Sequence, residues 1–250
     1  QIPTSVDLSQ WRLKVGGNTA RELRISFDDL RTKFPPVIYT AVIQCSGNGR
    51  SFFEPRVAGG QWKNGSMGNV TWTGARLGDI LNQAGIKAGS VDISFNGLDN
   101  PPLPTVPDFI KSLPVEKALE EDILIAYEMN GMPLSLLNGF PARLVVPGWY
   151  ATYWVKSLSD ITIHTKQFEE FWMKSAYRIP DNPCACLPPG SKPQKTVPIN
   201  RMNTRSLVIK PENGSALKAN RRVEVTGIAF SGGYSIRSVI VSLDGGKSWN

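Results

Sequence analysis

IQCSGNGRSFFEPRVAGGQWKNGSMGNVTWTG, residues 43–74, is the stretch on which the reading of this chain turns. Residues 39–44 (YTAVIQ) are β-branched and apolar, the texture of a strand, and they deliver Cys45 onto a loop. There Gly47, Gly49, Gly59, Gly60, Gly65 and Gly68 follow one another, a density that brings backbone close to some other group. A thiol at a strand end serves as nucleophile or metal ligand only as the thiolate, and Arg50 and Arg56 supply positive charge nearby. Thiolate is a soft ligand, suited to a transition-metal centre. A lone cysteine is more often a small buried hydrophobe, so the neighbourhood must decide.

Upstream of the loop, residues 11–15 and 23–26 alternate as strands, with Gly16 and Gly17 as the turn between them. Residues 27–34 carry acids early and bases late, matching a helix dipole, and Pro35-Pro36 stops that helix. Downstream, ARLGDILNQAG is predicted as a helix opening at Thr73 or Gly74. Its Leu77, Ile80 and Leu81 form an apolar stripe and Gly85 is its C-cap. Residues 91–95 read as a strand running into the proline-rich GLDNPPLPTVP, which excludes regular structure. A short helix over 115–120, a strand over 123–129, a tight Asn130-Gly131 turn and a strand over 144–146 follow. The aromatic run WYATYW at 149–154 is core or pocket wall, with core the default.

Beyond Asn200 the texture changes. Residues 206–210, 223–230 and 236–243 are β-branched runs separated by turn residues, the pattern of a small all-β sandwich. The fold class is therefore α+β, with a mixed α/β domain over residues 1–200 and an all-β domain over 201–250. So few strands do not close a sandwich, and that domain is expected to be incomplete at its C-terminus.

Composition bounds the function classes. With 41% hydrophobic and 20% charged residues there is no long apolar run, so no membrane-spanning helix is expected. A net charge of +7 favours an anionic substrate, an anionic cofactor or an acidic partner. Nucleic acid is disfavoured, because the bases are scattered among acids rather than gathered in runs. The one histidine, His164, excludes two-histidine metal sites, and its setting ITIHTK makes it an ordinary strand residue. Three cysteines make no paired framework, and Cys184 and Cys186 are expected to be packing residues.

CSGNGRSFFEPRVAGGQWKNGSMGNVTWTGARLGDIL resembles the molybdenum-binding segment of the sulfite oxidase family, in particular the catalytic subunits of bacterial sulfite:cytochrome c oxidoreductases. GLDNPPLPTVPDFIKSLPVEKAL, ILIAYEMNGMPL, NGFPARLVVPGWYATYWVKSL and FWMKSAYRIPDNPCAC are similar to that family's later segments, in order. The resemblance implies a molybdopterin-binding domain followed by an immunoglobulin-like dimerisation domain. It makes Cys45 the protein ligand of a molybdenum–molybdopterin cofactor. Arg50 then binds sulfite, a small oxyanion suited to a guanidinium fork, and Tyr177 hydrogen-bonds in the pocket. Asn138, Arg143 and Lys156 match positions that hold the pterin and its phosphate, and Asp79 matches a pterin-contacting acid. Each has an ordinary alternative: a surface ion pair for Arg50, a packed phenol for Tyr177, a solvated lysine for Lys156, a helix-surface acid for Asp79. Some members have histidine where Asn138 stands, and Arg178 is a weaker candidate beside Tyr177.

The implied reaction is oxygen transfer to sulfite, giving sulfate, with electrons passed to a separate haem protein such as a c-type cytochrome. The same scaffold serves nitrate or sulfoxide reduction in other proteins, and a cofactor-free dimerising module is the third reading. The presence of both Cys45 and Arg50 argues against the last, and Tyr177 argues against nitrate. The resemblance further implies a homodimer through the C-terminal domain and a periplasmic location. Family members usually carry an Arg-aromatic-His string before an Ile-Pro like Ile2-Pro3, so the chain is expected to be a fragment truncated at both ends.

Overall fold

Ser26 caps the first helix, and its mode of capping shows how local sequence sets the element boundaries. Its hydroxyl accepts from the Asp29 amide at 3.0 Å while the Asp29 carboxylate accepts from the Ser26 amide at 3.1 Å, a closed capping box. The computed structural model describes residues 2–250. In chain order the elements are β1 (Arg12–Gly17), β2 (Leu23–Ser26), α1 (Phe27–Thr32), β3 (Pro36–Gln44), β4 (Met67–Arg76), α2 (Leu77–Ala84) and β5 (Asp92–Gly97). Then come β6 (Lys111–Pro114), α3 (Val115–Ala118), β7 (Leu124–Met129), β8 (Met132–Pro133), β9 (Arg143–Val145), β10 (Leu158–His164) and α4 (Phe171–Lys174). Last are β11 (Arg178–Pro180), β12 (Thr196–Pro198), β13 (Arg205–Lys210) and β14 (Thr226–Phe230).

Two five-stranded sheets form the body, one ordered β2-β1-β10-β5-β6 and the other β3-β4-β7-β8 with β9 also paired to β7. Leu13, Ile93 and Phe95 from the first sheet, Trp72, Ile125 and Leu144 from the second, and Leu77, Ile80 and Leu81 of α2 belong to a single buried cluster. The apolar stripe predicted for α2 is core, and the helix ends at Gly85 in the left-handed region with φ +71°. Asn130 and Gly131 both take positive φ, 52° and 74°, closing β7 to β8 through the predicted tight turn. His164 is a strand residue, bonded through Nε2 to Ser94 Oγ at 2.7 Å.

Several expectations need correction. The end of the glycine-rich stretch is not loop: β4 pairs with β3 from Pro36↔Ala75 to Gln44↔Met67. The β-branched and aromatic Val70-Thr71-Trp72-Thr73 outweighs the two glycines beside it. At Gly74 the backbone of β7 comes so close that a Cβ would lie 2.6 Å from Ala126 Cα. The helix accordingly opens at Leu77, not at Thr73 or Gly74.

Residues 236–243 do not form a strand; Val239 and Leu243 are 63% and 87% exposed, and the backbone pairing there is limited to Val241, which exchanges hydrogen bonds of 2.7 and 3.0 Å with Asn250. The strands within residues 201–250 are the antiparallel pair β13–β14. Cys184 and Cys186 are not packing residues. They form a disulfide on an exposed loop between β11 and β12, their Cα atoms 5.1 Å apart, within bonding reach of each other. Among the described residues no helix is long and apolar enough to cross a membrane.

Candidate active site

β3 and β4 are neighbours along their whole length, so residues 45–66 are an excursion from the end of one hairpin. Its base is closed by the Cys45 amide donating to Ser66 O at 3.0 Å. Cys45 thus leaves the sheet edge at a fixed point. The thiol is free and half-buried, and its sulfur accepts from the Gly47 amide at 3.4 Å. Asn48, buried at 6% exposure, pins the loop: its side chain accepts from the Ser66 amide at 3.0 Å and donates to Gln44 Oε1 at 3.3 Å.

Arg50 begins a short 3-10 turn and bonds Gly60 O at 3.2 Å. Its guanidinium runs between Gly47 and Gly59, and a Cβ on Gly47 would lie 2.9 Å from Nη2. The glycines of this loop therefore make room for an arginine. None of the ion pairs among the described residues includes Arg50, Arg143 or Lys156, which removes the surface salt bridge as an account of Arg50.

A cavity of about 440 Å³ opens beside Cys45, and Asn138, Arg143, Lys156 and Tyr177 line it together with Phe109, Thr152 and Asp99. Arg143 leads β9 into the core at 5% exposure. It donates to Asn138 O at 2.9 Å and to Trp154 O at 3.0 Å, and its guanidinium lies 5.1 Å from the Trp72 ring centroid. Nε is buried with no hydrogen-bond partner, and burial lowers the pKa of the group to about 10. Asn138 contributes its main-chain carbonyl to this arrangement. Lys156 stays on the open side and donates to Leu137 O at 3.1 Å. Partial burial and then the Arg143 charge lower its pKa, while Asp99 acts the other way.

Tyr177 takes φ 52°, a left-handed conformation that costs a side-chain-bearing residue and persists only when neighbours enforce it. The enforcement is visible: Ile199 N donates to Tyr177 O at 2.7 Å, and the ring packs edge-on to Phe109 at 6.1 Å. Burial raises the phenol pKa; the charge of Cys45 adds to this and that of Arg50 opposes it, so all three groups share one electrostatic environment. Arg178 points away from this work, bonding Met173 O at 2.9 Å and Thr196 Oγ1 at 3.2 Å.

Neither Arg50 nor Asp79 is among the residues that line the cavity. Asp79 sits half-buried in the first turn of α2, where an acid complements the helix N-terminus. A second cleft, of about 500 Å³, is lined by residues that include Lys117, Asp122, Arg201 and Tyr234 and holds none of the predicted site residues. Three groups near the cavity carried no sequence signal. Phe109 emerges from the proline-rich segment, and Lys111, two residues on, is fully buried although a lysine in a short strand reads as solvated. Arg205, from β13, donates to Asn48 O at 2.8 Å and to Asn64 Oδ1 at 3.2 Å.

Comparison with known proteins agrees with this geometry. The family profile for the oxidoreductase molybdopterin binding domain matches residues 1–172, and that for the Mo-co oxidoreductase dimerisation domain matches residues 196–250. Mitochondrial sulfite oxidase of Homo sapiens is 34% identical over 255 residues, covering 98% of this chain and 45% of the human protein. Nitrate reductase [NADH] 1 of Oryza sativa subsp. japonica is 31% identical over 261 residues, covering 97% of this chain and 28% of the rice protein. The crystal structure of the sulfane dehydrogenase SoxCD from Paracoccus pantotrophus superposes with a TM-score of 0.80 at 29% identity, over 98% of this chain and 59% of that one. The chain belongs to the molybdopterin-binding oxidoreductases of the sulfite oxidase family.

Proposed function

We propose that this chain binds a molybdenum–molybdopterin cofactor through Cys45 and oxidises sulfite to sulfate, passing the electrons to a haem protein such as a c-type cytochrome. The observation that carries this reading is the cavity itself, where a free thiol, a buried arginine, a lysine and a phenol from four separate segments meet. The residues fit such a cofactor. Arg143 keeps a buried, unpartnered Nε and no carboxylate, an arrangement stabilised by a bound anion such as a pterin phosphate. Among the described residues no cluster of three His, Cys, Asp or Glu side chains could hold a metal alone, so Cys45 fits a centre whose other ligands come with the cofactor.

When bound, the molybdenum supplies the two-electron redox chemistry. Sulfite and water become sulfate, two protons and two electrons. This chain's residues do the rest. Arg50 presents its guanidinium to the oxyanion, Tyr177 offers a phenol that its raised pKa keeps protonated as a donor, and Arg143 and Lys156 hold the anionic end of the cofactor. The overall charge of +7 raises the local concentration of a dianionic substrate. The match to the dimerisation domain profile supports a homodimer through residues 196–250. The exposed Cys184–Cys186 disulfide supports an oxidising compartment such as the periplasm.

The test is metal analysis of the purified full-length protein together with sulfite-dependent cytochrome c reduction. Nitrate reduction with an artificial donor runs in parallel, because the rice relative makes nitrate the rival substrate. Sulfite turnover without nitrate turnover supports the reading, and the reverse replaces it.

A further inference from the structure

Lys111 is 0% exposed and has no carboxylate within ion-pair distance among the described residues. Its ammonium makes one hydrogen bond, to Trp172 O at 2.7 Å, and lies 4.7 Å from the Tyr153 ring centroid and 5.3 Å from that of Tyr177. The charge of Arg178 repels it. A buried, unpaired ammonium is costly, and a methionine of similar length would fill the same space without the penalty. Its surroundings show what it holds. Trp172 and Tyr177 belong to one compact segment that opens with α4 and closes at β11, and their rings pack against Phe109, tilted at 5.2 Å and edge-on at 6.1 Å. Lys111 reaches that segment from β6, gripping its backbone at Trp172 and attracting the π face of Tyr177.

We infer that Lys111 is a positioning residue for the reaction: its buried ammonium ties β6 to residues 171–178 and fixes the Tyr177 phenol at the edge of the Cys45 cavity. Tyr177 sits in a left-handed conformation that its own backbone does not favour, so the phenol stays in place only while the segment around it is held. Tyr153 forms the second wall, its hydroxyl donating to Ile199 O while the Ile199 amide donates to Tyr177 O. Lys111, Tyr153 and Ile199 thus brace Tyr177 from two sides. The inference rests on the proposed role of Tyr177 in sulfite oxidation for its kinetic part alone.

The experiment uses the full-length, molybdenum-loaded protein with Lys111→Met, Lys111→Gln, Tyr177→Phe and the Lys111→Met/Tyr177→Phe double variant. Amide hydrogen exchange over residues 171–178 is read beside kcat, KM and Tm. Lys111→Met is expected to speed exchange in that segment without lowering Tm, and to cut kcat roughly ten- to a hundredfold through misplacement of the phenol. The double variant should be no slower than Tyr177→Phe, since both changes remove the same positioned group. Lys111→Gln, which keeps a donor for Trp172, should recover part of the loss, and it serves as the probe if Lys111→Met does not fold. Unchanged exchange in residues 171–178 overturns the inference, and so do kinetic losses that multiply in the double variant. If the unmodified protein does not turn over sulfite, the functional reading fails while the exchange result still decides the role of Lys111.

Discussion

Arg205 donates a 2.8 Å hydrogen bond to the main-chain carbonyl of Asn48, joining the first strand of the C-terminal pair to the loop that carries Cys45. A second bond reaches Asn64 on the far limb of the same loop, so one guanidinium spans the excursion. Gly49 between them is left-handed at φ +83°, and a Cβ there would overlap the Arg205 guanidinium. Residues 205–210 therefore brace the Cys45 loop directly through Arg205. Replacing Arg205 by Ala removes a charge-assisted bond of about 1.5 kcal/mol, which loosens the Cys45 loop and lowers cofactor retention about tenfold. Molybdenum content per chain after dialysis checks this; equal retention would mean that the loop holds its shape unaided.

Arg50 owes its position to glycine neighbours and to one carbonyl, and it enters none of the ion pairs among the described residues. Arg50→Gln should raise KM for sulfite more than it changes Tm, with kcat/KM falling roughly ten- to a hundredfold, as expected for about 1.5–3 kcal/mol lost at a charge-assisted contact. Steady-state kinetics and thermal unfolding on the same sample separate the two effects.

Arg143 is costly to the empty fold and useful to the loaded one. Arg143→Met removes a desolvated charge while keeping much of the packing over Trp72, so the cofactor-free protein should unfold no more easily than the parent. Cofactor retention should drop at least tenfold, since the cation facing the anionic group is gone. A variant with normal molybdenum content would assign Arg143 to the core alone.

Lys111 leaves a signature in the pH dependence of stability. Burial, with a smaller contribution from Arg178, lowers its pKa from 10.5 to about 7. The unfolded chain binds the extra proton between those two values, so stability rises with pH across that window, and the full cost is present below pH 7. That difference is worth at most about 5 kcal/mol. Tyr153 and Tyr177 also face it, and burial raises the pKa of both from an ordinary value of 10.0, so they affect stability only near the top of that window, where they oppose the rise. Denaturant unfolding from pH 7 to pH 10 should show a rising stability in the parent that is missing in Lys111→Met. Parallel curves for the two proteins would contradict the assignment.

Cys45 was legible from its setting, a cysteine at a strand end before a glycine-rich loop, whereas Arg143 and Tyr177 were marked only by the family resemblance of the strings around them; the three positions do share one cavity. β4 was hidden because Gly65 and Gly68 mask a β-branched strand whose partner, β3, precedes the loop. Lys111 and Arg205 were hidden for a different reason. Nothing local marks a lysine as buried or an arginine as reaching back to a loop far earlier in the chain; both follow from tertiary packing. Asp79 stands apart from the cavity, in the first turn of a helix whose dipole an acid complements. The strand expected at 236–243 shows the converse limit: β-branched alternation marks strand-forming sequence, but a strand requires a continuous ladder, and here the pairing stops at Val241 and Asn250.

The central claim is that Cys45 holds the metal that oxidises sulfite, and replacing it by Ser in the full-length protein tests this most directly. Serine offers a hard hydroxyl in place of a soft thiolate at the same point on the loop. Molybdenum content and sulfite-dependent cytochrome c reduction are measured on the parent and on Cys45→Ser. The account predicts that the parent binds molybdenum and turns over sulfite while Cys45→Ser loses nearly all turnover with its Tm unchanged. Near-parental sulfite turnover in Cys45→Ser, at parental molybdenum content, would contradict it.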